Sequence, residues 1–349
     1  MTKFKTTKAS IAITGGGTGG HLKIAKVVKD ELVKQNIPVI YIGSQQGQDK
    51  KWFEHNSGFD TCYFLQSQGV VNKKYLAKLV SLYNIFRSAF SLYSVFKKHK
   101  ITALLSVGGY SAAPAVIAAI MLRVPLFIHE QNSTIGTLNR YSRPFAKAFF
   151  SSFDSLSECK SYPIETLFFQ QARIRKETKT ILFLGGSLGA SAINNLALNL
   201  AKELIDKGFK IIHQCGATDF IRVKSFYEEA QLDVEFFDFS TSLHTYIFKA
   251  DFAISRAGAS TLFELSANAL PTLFIPYPHA AKDHQFYNAR FLQEQDMAYL
   301  LREDALTVEE VHSLIKKNHH KMSEKLHQLP QNSGVSCIIE KLLKQSSSK

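Results

Sequence analysis

The residues with the clearest chemical potential lie in a glycine-rich stretch near the start of the sequence. The run AITGGGTGGHL, from Ala12 to Leu22, holds five glycines in six residues. Glycine lets the backbone approach a ligand closely, and the N–H groups at the start of a helix attract anions. The stretch therefore predicts a phosphate-binding turn between a strand and a helix, with the imidazole of His21 at its end.

Two known phosphate-binding patterns compete for this turn. Gly15, Gly17 and Gly20 fit the G-x-G-x-x-G fingerprint of dinucleotide sites, but such a site also needs an acidic residue about 20 positions further on. The predicted second strand, 39–42, runs into a Gly-Ser-Gln sequence without a carboxylate. A P-loop requires a lysine where this chain has His21. A Rossmann-type oxidoreductase is one alternative, and a plain strand-to-helix turn is another.

The same pattern, an apolar run followed by small residues and a helix-like segment, recurs along the chain and indicates the fold. Three further apolar runs lead into small residues and a helix-like segment: LLSVGGYSAAP at 104–114, ILFLGGSLGAS at 181–191 and DFAISRAGAST at 251–261. Strands that alternate with helices form parallel sheets. We therefore expect an α/β protein of two Rossmann-like, doubly wound domains facing a cleft, with ligands at the carboxyl ends of the strands.

The spacing of these runs predicts the domain limits. We expect a first domain at 1–160, a linker at 161–178, a second domain at 179–331, and a helix with a frayed tail at 332–349.

Other polar groups fall where predicted strands end. His129-Glu130-Gln131-Asn132 follows an apolar run, and Glu264 lies inside the helix-like segment after Arg256. Gln285 and Asn288 lie three apart on one helical face, where amides suit sugar hydroxyls because each amide both donates and accepts. A surface loop, a solvated helix face and helix capping are the respective alternatives. No H-E-x-x-H or D-x-D motif occurs, so we expect no metal site and no cofactor.

The positive charge is concentrated in the first half of the chain. The net charge is +13, and residues 1–160 carry 21 Lys and Arg against 8 Asp and Glu, whereas residues 161–349 carry 21 of each. No carboxylate occurs between Asp60 and Glu130. Within 73–100, basic residues accompany an apolar stripe at helical spacing: Leu76, Leu79, Tyr83, Phe86, Phe90 and Tyr93.

A basic helix with aromatic residues is typical of binding to an anionic membrane surface. The segment 73–100 therefore predicts peripheral membrane association, and an ordinary core helix with solvated lysines is the alternative. Nucleic acid is not expected as a partner, since no helix-turn-helix, RNP or KH motif is present.

The apolar stretches and the cysteines indicate where in the cell the protein is located. The longest apolar stretch, 111–128, is interrupted by prolines and Arg123 and is too short to span a bilayer. The N-terminal residues lack the apolar region of a signal peptide. The four cysteines (Cys62, Cys159, Cys215 and Cys337) are far apart without a C-x-x-C pair. We therefore expect neither a zinc knuckle nor a disulfide framework. We expect the protein to be located in a reducing cytoplasm.

Taken in order, six motifs resemble those of the MurG family of glycosyltransferases, which belong to family 28 and have the GT-B fold. The motifs are GGGTGGH, SVGGYSAAP, HEQN, GGSLGA, SRAGA through Glu264, and DHQxxNA, and the resemblance extends from Ile11 to about Leu343. It implies an inverting enzyme on the cytoplasmic face of the membrane. That enzyme would move N-acetylglucosamine from UDP-N-acetylglucosamine to the 4-hydroxyl of lipid I, giving lipid II.

The resemblance also implies roles for individual residues. His21 would be the catalytic base, Glu264 would hold the ribose, and Ser187 would bind the α-phosphate. The implied donor-site residues are Gly17, Thr18, Gly19, Asn132, Ser187, Ala259, Ser260, Thr261, Leu262, Phe263, Glu264, Gln285 and Asn288. Those implied for the acceptor and its diphosphate are Gly16, Gly20, Gly108, Gly109, Tyr110, His129 and Glu130.

The sequence departs from the family pattern at three places, one of which is Leu22-Lys23-Ile24-Ala25, where the family usually has V-F-P-A after the first histidine. Leu188 stands where the family has a glutamine, and Glu165 stands where it has an arginine at the donor site. Arg256 is expected to help the helix amides stabilise the departing UDP, unless it is only a cap or a surface residue. Another UDP-sugar enzyme of the same fold, such as a lipid glycosyltransferase or an epimerase, and a non-catalytic membrane adaptor are the alternative functions.

Overall fold

A computed structural model describes residues 9–55, 58–66, 75–186, 189–330 and 332–346. The chain divides into two compact units, one formed by Met1–Ile164 with Ser333–Lys349 and the other by Glu165–Asn332. Each unit is built on its own six-stranded parallel sheet with flanking helices. The predicted α/β architecture of two Rossmann-like domains is therefore confirmed.

The central strands of the first sheet are buried and largely apolar, as expected where helices cover both faces of a parallel sheet. Its strands are β1 (Ser10–Thr14), β2 (Val39–Ser44), β3 (Thr61–Leu65), β4 (Ile101–Ser106), β5 (Leu126–Glu130) and β6 (Ala148–Ser151). Their order is β3-β2-β1-β4-β5-β6. The strands up to β3 are added on one side of β1, and those from β4 onward are added on its other side. The strand order thus reverses between β1 and β4, and ligands bind at this reversal point in such sheets.

The helices between these strands are α1 (Gly19–Lys34), α2 (Asp49–Phe53), α3 (Tyr75–Lys98), α4 (Ala113–Met121) and α5 (Thr137–Ser142). Helix α3 contributes Ala89, Leu92 and Phe96 to the core that it shares with α4. Helix α1 buries Ala25 together with Leu22 and Ile24, two positions at which this chain departs from the family's usual sequence after the first histidine.

The second sheet repeats the same topology. Its strands are β7 (Thr180–Leu184), β8 (Lys210–Gln214), β9 (Glu235–Phe237), β10 (Phe252–Ser255), β11 (Thr272–Phe274) and β12 (Tyr299–Leu300). Their order is β12-β11-β10-β7-β8-β9, so the reversal point lies between β7 and β10.

The helices that follow the first unit's α5 are α6 (Leu167–Gln170), α7 (Ser191–Asp206), α8 (Phe220–Glu229), α9 (Leu243–Lys249), α10 (Ala259–Ala267), α11 (His284–Gln293), α12 (Val308–Ile315), α13 (His320–His327) and α14 (Val335–Ser346). The last of these, α14, returns to the first unit and packs on α1 and β4. The predicted division treated it as a separate segment.

The segment predicted as a linker contains a fully buried arginine. The Arg175 guanidinium donates to the backbone oxygens of Ala250 and Ile247 at 3.2 Å each, and to Asn268. Burial lowers the pKa of Arg175 to about 9. Because carbonyl oxygens surround the guanidinium, this part of 161–178 is anchored to the second unit.

The expectation that the cysteines form no disulfide was wrong for one pair. Cys159 and Cys337 are joined by a disulfide bond, with 5.8 Å between their Cα atoms. They are 178 positions apart in sequence and meet because α14 returns to the first unit. Cys62 and Cys215 are not part of a disulfide bond. The disulfide removes the cysteine-based argument for a reducing compartment.

Candidate functional site

In the first unit, two glycine loops meet at the reversal point of the sheet. The loop after β1 and the loop after β4 are joined by the bond from Gly16 N to Gly108 O at 3.1 Å, and by that from Val107 N to Thr14 O at 2.8 Å. Gly16, Gly20 and residues 108–110, which were predicted to bind the acceptor, and residues 17–19, which were predicted to bind the donor, are therefore brought together at one edge of the sheet.

A carboxylate that the sequence analysis did not single out holds the first glycine loop. Asp49, at the start of α2, is fully buried. Its Oδ1 accepts the N–H of Gly17 at 2.5 Å, and its Oδ2 accepts that of Ser44 at 3.0 Å. Gly17 has a φ of +83°, and a Cβ there would lie 2.8 Å from the Tyr110 ring. The loop conformation therefore requires glycine at this position and an acceptor at Asp49.

Two tyrosine side chains lie beside this carboxylate. Tyr41 donates its hydroxyl to Gly15 O at 2.9 Å. Burial, followed by the negative charge of Asp49, raises the pKa of both Tyr41 and Tyr110. Both phenols thus stay protonated around the loop and can donate hydrogen bonds.

His21 lies in the first turn of α1, between the two glycine loops. Its Nδ1 is 2.8 Å from Thr18 Oγ1 and 3.5 Å from Gln131 Nε2. Its Nε2 faces Gly108, where a Cβ would lie 3.2 Å from that nitrogen. Gly108 has a φ of +91°. A side chain at Gly108 would therefore crowd the imidazole of His21, and both this contact and the positive φ favour glycine there.

The HEQN sequence ends β5 on the same edge of the sheet. Both oxygens of the buried Glu130 accept hydrogen bonds: Oε1 from Asn132 N at 3.1 Å, and Oε2 from Gly136 N and Asn139 Nδ2 at 2.9 Å each. The carboxylate thus holds the loop that carries Gln131 and Asn132.

His129 is unsuited to act as a base in place of His21. It is 1% exposed, and its ring meets that of Tyr162 edge-to-face with 5.5 Å between centroids. Burial, and then the charge of His21, lower the pKa of His129 to about 3. His129 is therefore neutral and shielded from solvent at physiological pH.

In the second unit, the corresponding reversal point brings the loops after β7 and β10 to one edge. Gly185, in the first of these loops, donates its N–H to Gln214 O at 2.9 Å. Ser187 and Leu188, in the same loop, lie outside the described residues. Helix α10 begins directly after the β10 loop, with Gly258 as its N-cap. Its first-turn N–H groups favour an anion at this edge.

The residues of helix α10 that were predicted to contact the donor differ in their exposure to solvent. Leu262 is fully buried, whereas Thr261 and Phe263 are partly exposed. Glu264 is 3% exposed, one to two turns inside the helix. Glu264 therefore lies on the helix whose N-terminus attracts anions. Each residue between that N-terminus and Glu264 adds about 1.5 Å along the helix axis.

The two amides predicted to bind sugar also stabilise the loops around α10 and α11. Gln285 Oε1 accepts the N–H of Tyr277 at 3.0 Å, and Asn288 Nδ2 donates to Ala257 O at 3.2 Å. Just before α11, Lys282 and Asp283 both adopt the left-handed region, with φ of 54° and 53°. Strained backbone of this kind is frequent where a protein holds a ligand.

Arg256 is held by its own unit. Its Nη1 lies 2.7 Å from Glu303 Oε2 and donates to Pro276 O at 3.0 Å, and its guanidinium lies over the Tyr277 ring at 5.6 Å from the centroid. The side chain therefore shapes the edge of the α10 loop, in addition to any contact with a ligand.

The apolar stripe of α3 is exposed rather than buried in the core. The buried side of the helix is formed by Ser81, Ile85, Ala89, Leu92 and Phe96. Next to it lies a face that leaves between 42 and 67% of each side chain exposed; it consists of Leu79, Val80, Leu82, Tyr83, Phe86, Phe90 and Tyr93. We call this set the α3 face. Lys73 and Lys74, and the side chains of Leu76 and Lys78, lie outside the described residues.

The α3 face is large for a protein surface exposed to water, where extended apolar patches mark interaction sites. Exposed Arg87, Lys97 and Lys98 lie on the same helix. Within the part of the chain that the structure describes, no helix is both long and apolar enough to cross a membrane.

Comparison with known proteins assigns both units to one family. The model of the glycosyltransferase family 28 N-terminal domain matches residues 11–151, and that of the C-terminal domain matches residues 180–342. A relative from Campylobacter jejuni is 50% identical over 335 residues, which cover 96% of this chain and 97% of the relative. One from Wolinella succinogenes is 49% identical over 315 residues, covering 90% and 94%.

Both relatives are named UDP-N-acetylglucosamine--N-acetylmuramyl-(pentapeptide) pyrophosphoryl-undecaprenol N-acetylglucosamine transferase. Among solved structures, Acinetobacter baumannii MurG is similar with a TM-score of 0.80 and 25% identity, over 97% of this chain and all of that one.

Proposed function

The chain belongs to glycosyltransferase family 28, and we propose that it transfers N-acetylglucosamine from UDP-N-acetylglucosamine to lipid I, forming lipid II for peptidoglycan synthesis. The observation that carries this proposal is the 50% identity, over nearly the whole of both chains, to a relative named for that reaction. The two glycine loops of the first unit and the helix starts of both units supply the diphosphate-binding features that such substrates need.

The second unit binds the donor in this proposal. The N-terminus of α10 and the loop after β7, with Ser187, contact the diphosphate, and Glu264 accepts hydrogen bonds from the ribose hydroxyls. Gln285 and Asn288, which also hydrogen-bond to the loops around them, contact the hydroxyls of the sugar in this proposal. As UDP leaves, negative charge grows on its phosphate, and the amides of α10 stabilise that charge.

The first unit binds the acceptor in this proposal. Gly16, Gly20, Gly108, Gly109 and Tyr110 form the surface for the lipid-linked diphosphate and its sugar. His21 removes the proton of the acceptor 4-hydroxyl as its oxygen attacks C1 of N-acetylglucosamine, while the bond from C1 to UDP breaks. Attack opposite the leaving group inverts C1 and gives a β1,4 linkage.

The α3 face binds the membrane that holds the lipid-linked acceptor. Its aromatic and aliphatic side chains enter the interface, while Arg87, Lys97 and Lys98 attract anionic lipid headgroups, each contributing about 1 kcal/mol. The complete absence of carboxylates between Asp60 and Glu130 prevents repulsion from those headgroups. We therefore place the enzyme as a peripheral protein on the cytoplasmic face of the cell membrane.

The proposal is tested by incubating the protein with UDP-N-acetylglucosamine and a lipid I analogue. We expect stoichiometric release of UDP and formation of the lipid-linked disaccharide. Conversion of UDP-N-acetylglucosamine in the absence of an acceptor would instead indicate an epimerase, and transfer only to other lipids would indicate a different acceptor. Binding of NAD without any sugar transfer would support the oxidoreductase alternative.

A further inference from the structure

Gln131 is the residue of the HEQN sequence to which no role has been assigned, and it lies against His21. It is 8% exposed, and its amide nitrogen is 3.5 Å from His21 Nδ1. Among the described residues, its amide oxygen is buried without a hydrogen-bond partner. Leaving a buried oxygen without a donor is energetically unfavourable, so its position requires an explanation.

The orientation of this amide determines which imidazole nitrogen carries the proton. With the amide nitrogen next to Nδ1, the Nδ1 atom must accept, so the proton of a neutral ring lies on Nε2. A neutral ring that carries its proton on Nε2 has no lone pair on that nitrogen, so Nε2 cannot remove a proton from the acceptor. Rotation of the amide by 180° brings Oε1 to the same place, where it accepts a proton carried by Nδ1. The Nε2 atom then holds a lone pair.

The second orientation agrees with the surroundings of both groups. It gives the buried oxygen of Gln131 a donor at Nδ1 of His21, and it leaves the basic nitrogen of His21, Nε2, on the side of Gly108. Thr18 Oγ1, 2.8 Å from the same Nδ1, is exposed and can either donate or accept, so it adapts to both states.

We infer that Gln131 is the positioning residue that fixes His21 in the tautomer protonated at Nδ1, which leaves Nε2 to remove the acceptor's proton. This inference rests on the proposed function, because it assumes that His21 is the base. Glu130 supports the arrangement: its carboxylate binds Asn132 N, Gly136 N and Asn139 Nδ2, and thereby fixes the loop that carries Gln131. A hydrogen-bond partner of the second ring nitrogen commonly selects the active tautomer in histidine sites.

Other titratable groups near His21 do not provide this function. His129 is buried and neutral, because burial and then the charge of His21 lower its pKa to about 3. Both oxygens of Glu130 are occupied by the loop. Thr18 Oγ1 and Gln131 Nε2 lie 2.8 and 3.5 Å from His21 Nδ1, and Gln131 is buried whereas Thr18 is exposed.

The experiment compares Gln131→Met, Gln131→Glu and His21→Ala in the full-length enzyme, with Gln45→Met as an exposed control in the same unit. Methionine has a similar length but cannot accept the Nδ1 proton, so we expect kcat to fall about 10- to 100-fold with the KM of both substrates little changed. Glutamate accepts but cannot donate, so Gln131→Glu should retain most of the parental kcat. Its negative charge should move the acidic limb of the kcat profile to higher pH.

Nitrogen-15 NMR of histidine-labelled protein reports the tautomer directly, with the His21 signals assigned by their loss in His21→Ala. We expect an unprotonated Nε2 in the parent and a mixture of tautomers in Gln131→Met. A protonated Nε2 in the neutral parent ring, or a Gln131→Met enzyme with parental kcat and parental His21 shifts, would overturn the inference. If His21→Ala itself kept parental kcat, the assignment of the base would fail instead, so the two failures are distinguishable.

Discussion

The carboxylate of Asp49 accepts a hydrogen bond from the backbone N–H of Gly17, with 2.5 Å between Oδ1 and the nitrogen. The other oxygen, Oδ2, accepts the N–H of Ser44, at the end of β2. One buried side chain therefore ties the first glycine loop to the neighbouring strand. Since His21 follows that loop by four residues, the same bond contributes to the position of the proposed base.

We predict that Asp49→Asn destabilises the first unit and lowers turnover. An amide nitrogen would face one of the two backbone N–H groups, leaving a donor without an acceptor at a cost of about 1–3 kcal/mol. Urea unfolding and kcat measure the two effects. Glu54→Gln, an exposed carboxylate directly after the same helix, is the control and should change neither. Parental stability in Asp49→Asn would show that the loop does not depend on this carboxylate.

His21→Ala should lower kcat about 10²-fold or more, because general-base catalysis typically contributes factors of 10² to 10⁴. Binding of UDP-N-acetylglucosamine should remain nearly unchanged, since the imidazole acts on the acceptor. Turnover at saturating acceptor and titration calorimetry with UDP-N-acetylglucosamine test the two statements. His55→Ala, an exposed histidine in the same unit, should behave as the parent. A variant with weakened substrate binding but parental kcat would point to a binding role for His21.

Glu264→Ala should weaken UDP binding by roughly 2–4 kcal/mol, the value of about two hydrogen bonds to a carboxylate. Glu264→Gln keeps the side-chain volume and should lose less. Glu229→Ala, on the surface of the same unit, serves as the control for removal of a negative charge. Titration calorimetry with UDP measures the affinities, and a Glu264→Ala protein that binds UDP like the parent would refute the ribose contact.

Replacing Phe86 and Phe90 with serine should release the protein from anionic vesicles. Each ring is about half exposed, and transfer of the exposed part into the interface contributes roughly 1 kcal/mol, so partitioning should fall about tenfold or more. Reversing Lys97 and Lys98 to Glu should weaken binding most at low salt, because salt screens exposed charges.

Co-sedimentation with vesicles of anionic lipid measures both effects of the α3-face variants. The matched control is the replacement of Ile221 and Phe226 with serine, which removes exposed apolar side chains from the second unit. If the control and the α3-face variant sediment alike, the α3 face does not bind the membrane.

The second unit should lose stability as the pH falls from about 6.5 toward 4. His213 is fully buried between Asn194 Oδ1 at 3.0 Å and the Tyr227 hydroxyl at 2.9 Å, and burial lowers its pKa to about 4. Below pH 6.5 the unfolded chain binds a proton at this residue and the folded chain does not, so the unfolding free energy decreases by up to about 1.4 kcal/mol per pH unit.

His213→Gln should remove that share of the slope when urea unfolding is compared at several pH values between 4 and 7. His279→Gln, an exposed histidine in the same unit, should leave the slope as it is in the parent. An identical pH dependence in parent and His213→Gln would contradict the assignment of a neutral His213 in the folded unit.

The sequence alone was enough to predict the architecture and the position of the glycine loops at one edge of each sheet. Those features are encoded locally: apolar runs of strand length, glycines at the turns that follow them, and helical periodicity afterwards. The positions of His21, Glu264 and the Gln285–Asn288 pair on helices follow from the same local signals. Six motifs in order also sufficed for the family, because each reflects a turn or a helix start with its own residue requirements.

Tertiary structure decided the relationships between distant residues. Asp49 approaches Gly17 across 32 positions, Gln131 approaches His21 across 110, and Cys159 meets Cys337 across 178. Such contacts depend on strand order and on the return of α14 to the first unit, which no local pattern encodes. Helical periodicity likewise could not show which side of α3 is buried, because two adjacent stripes are both apolar. Only packing against α4 determined that Ile85, Ala89 and Leu92 enter the core and that Tyr83, Phe86 and Phe90 stay exposed.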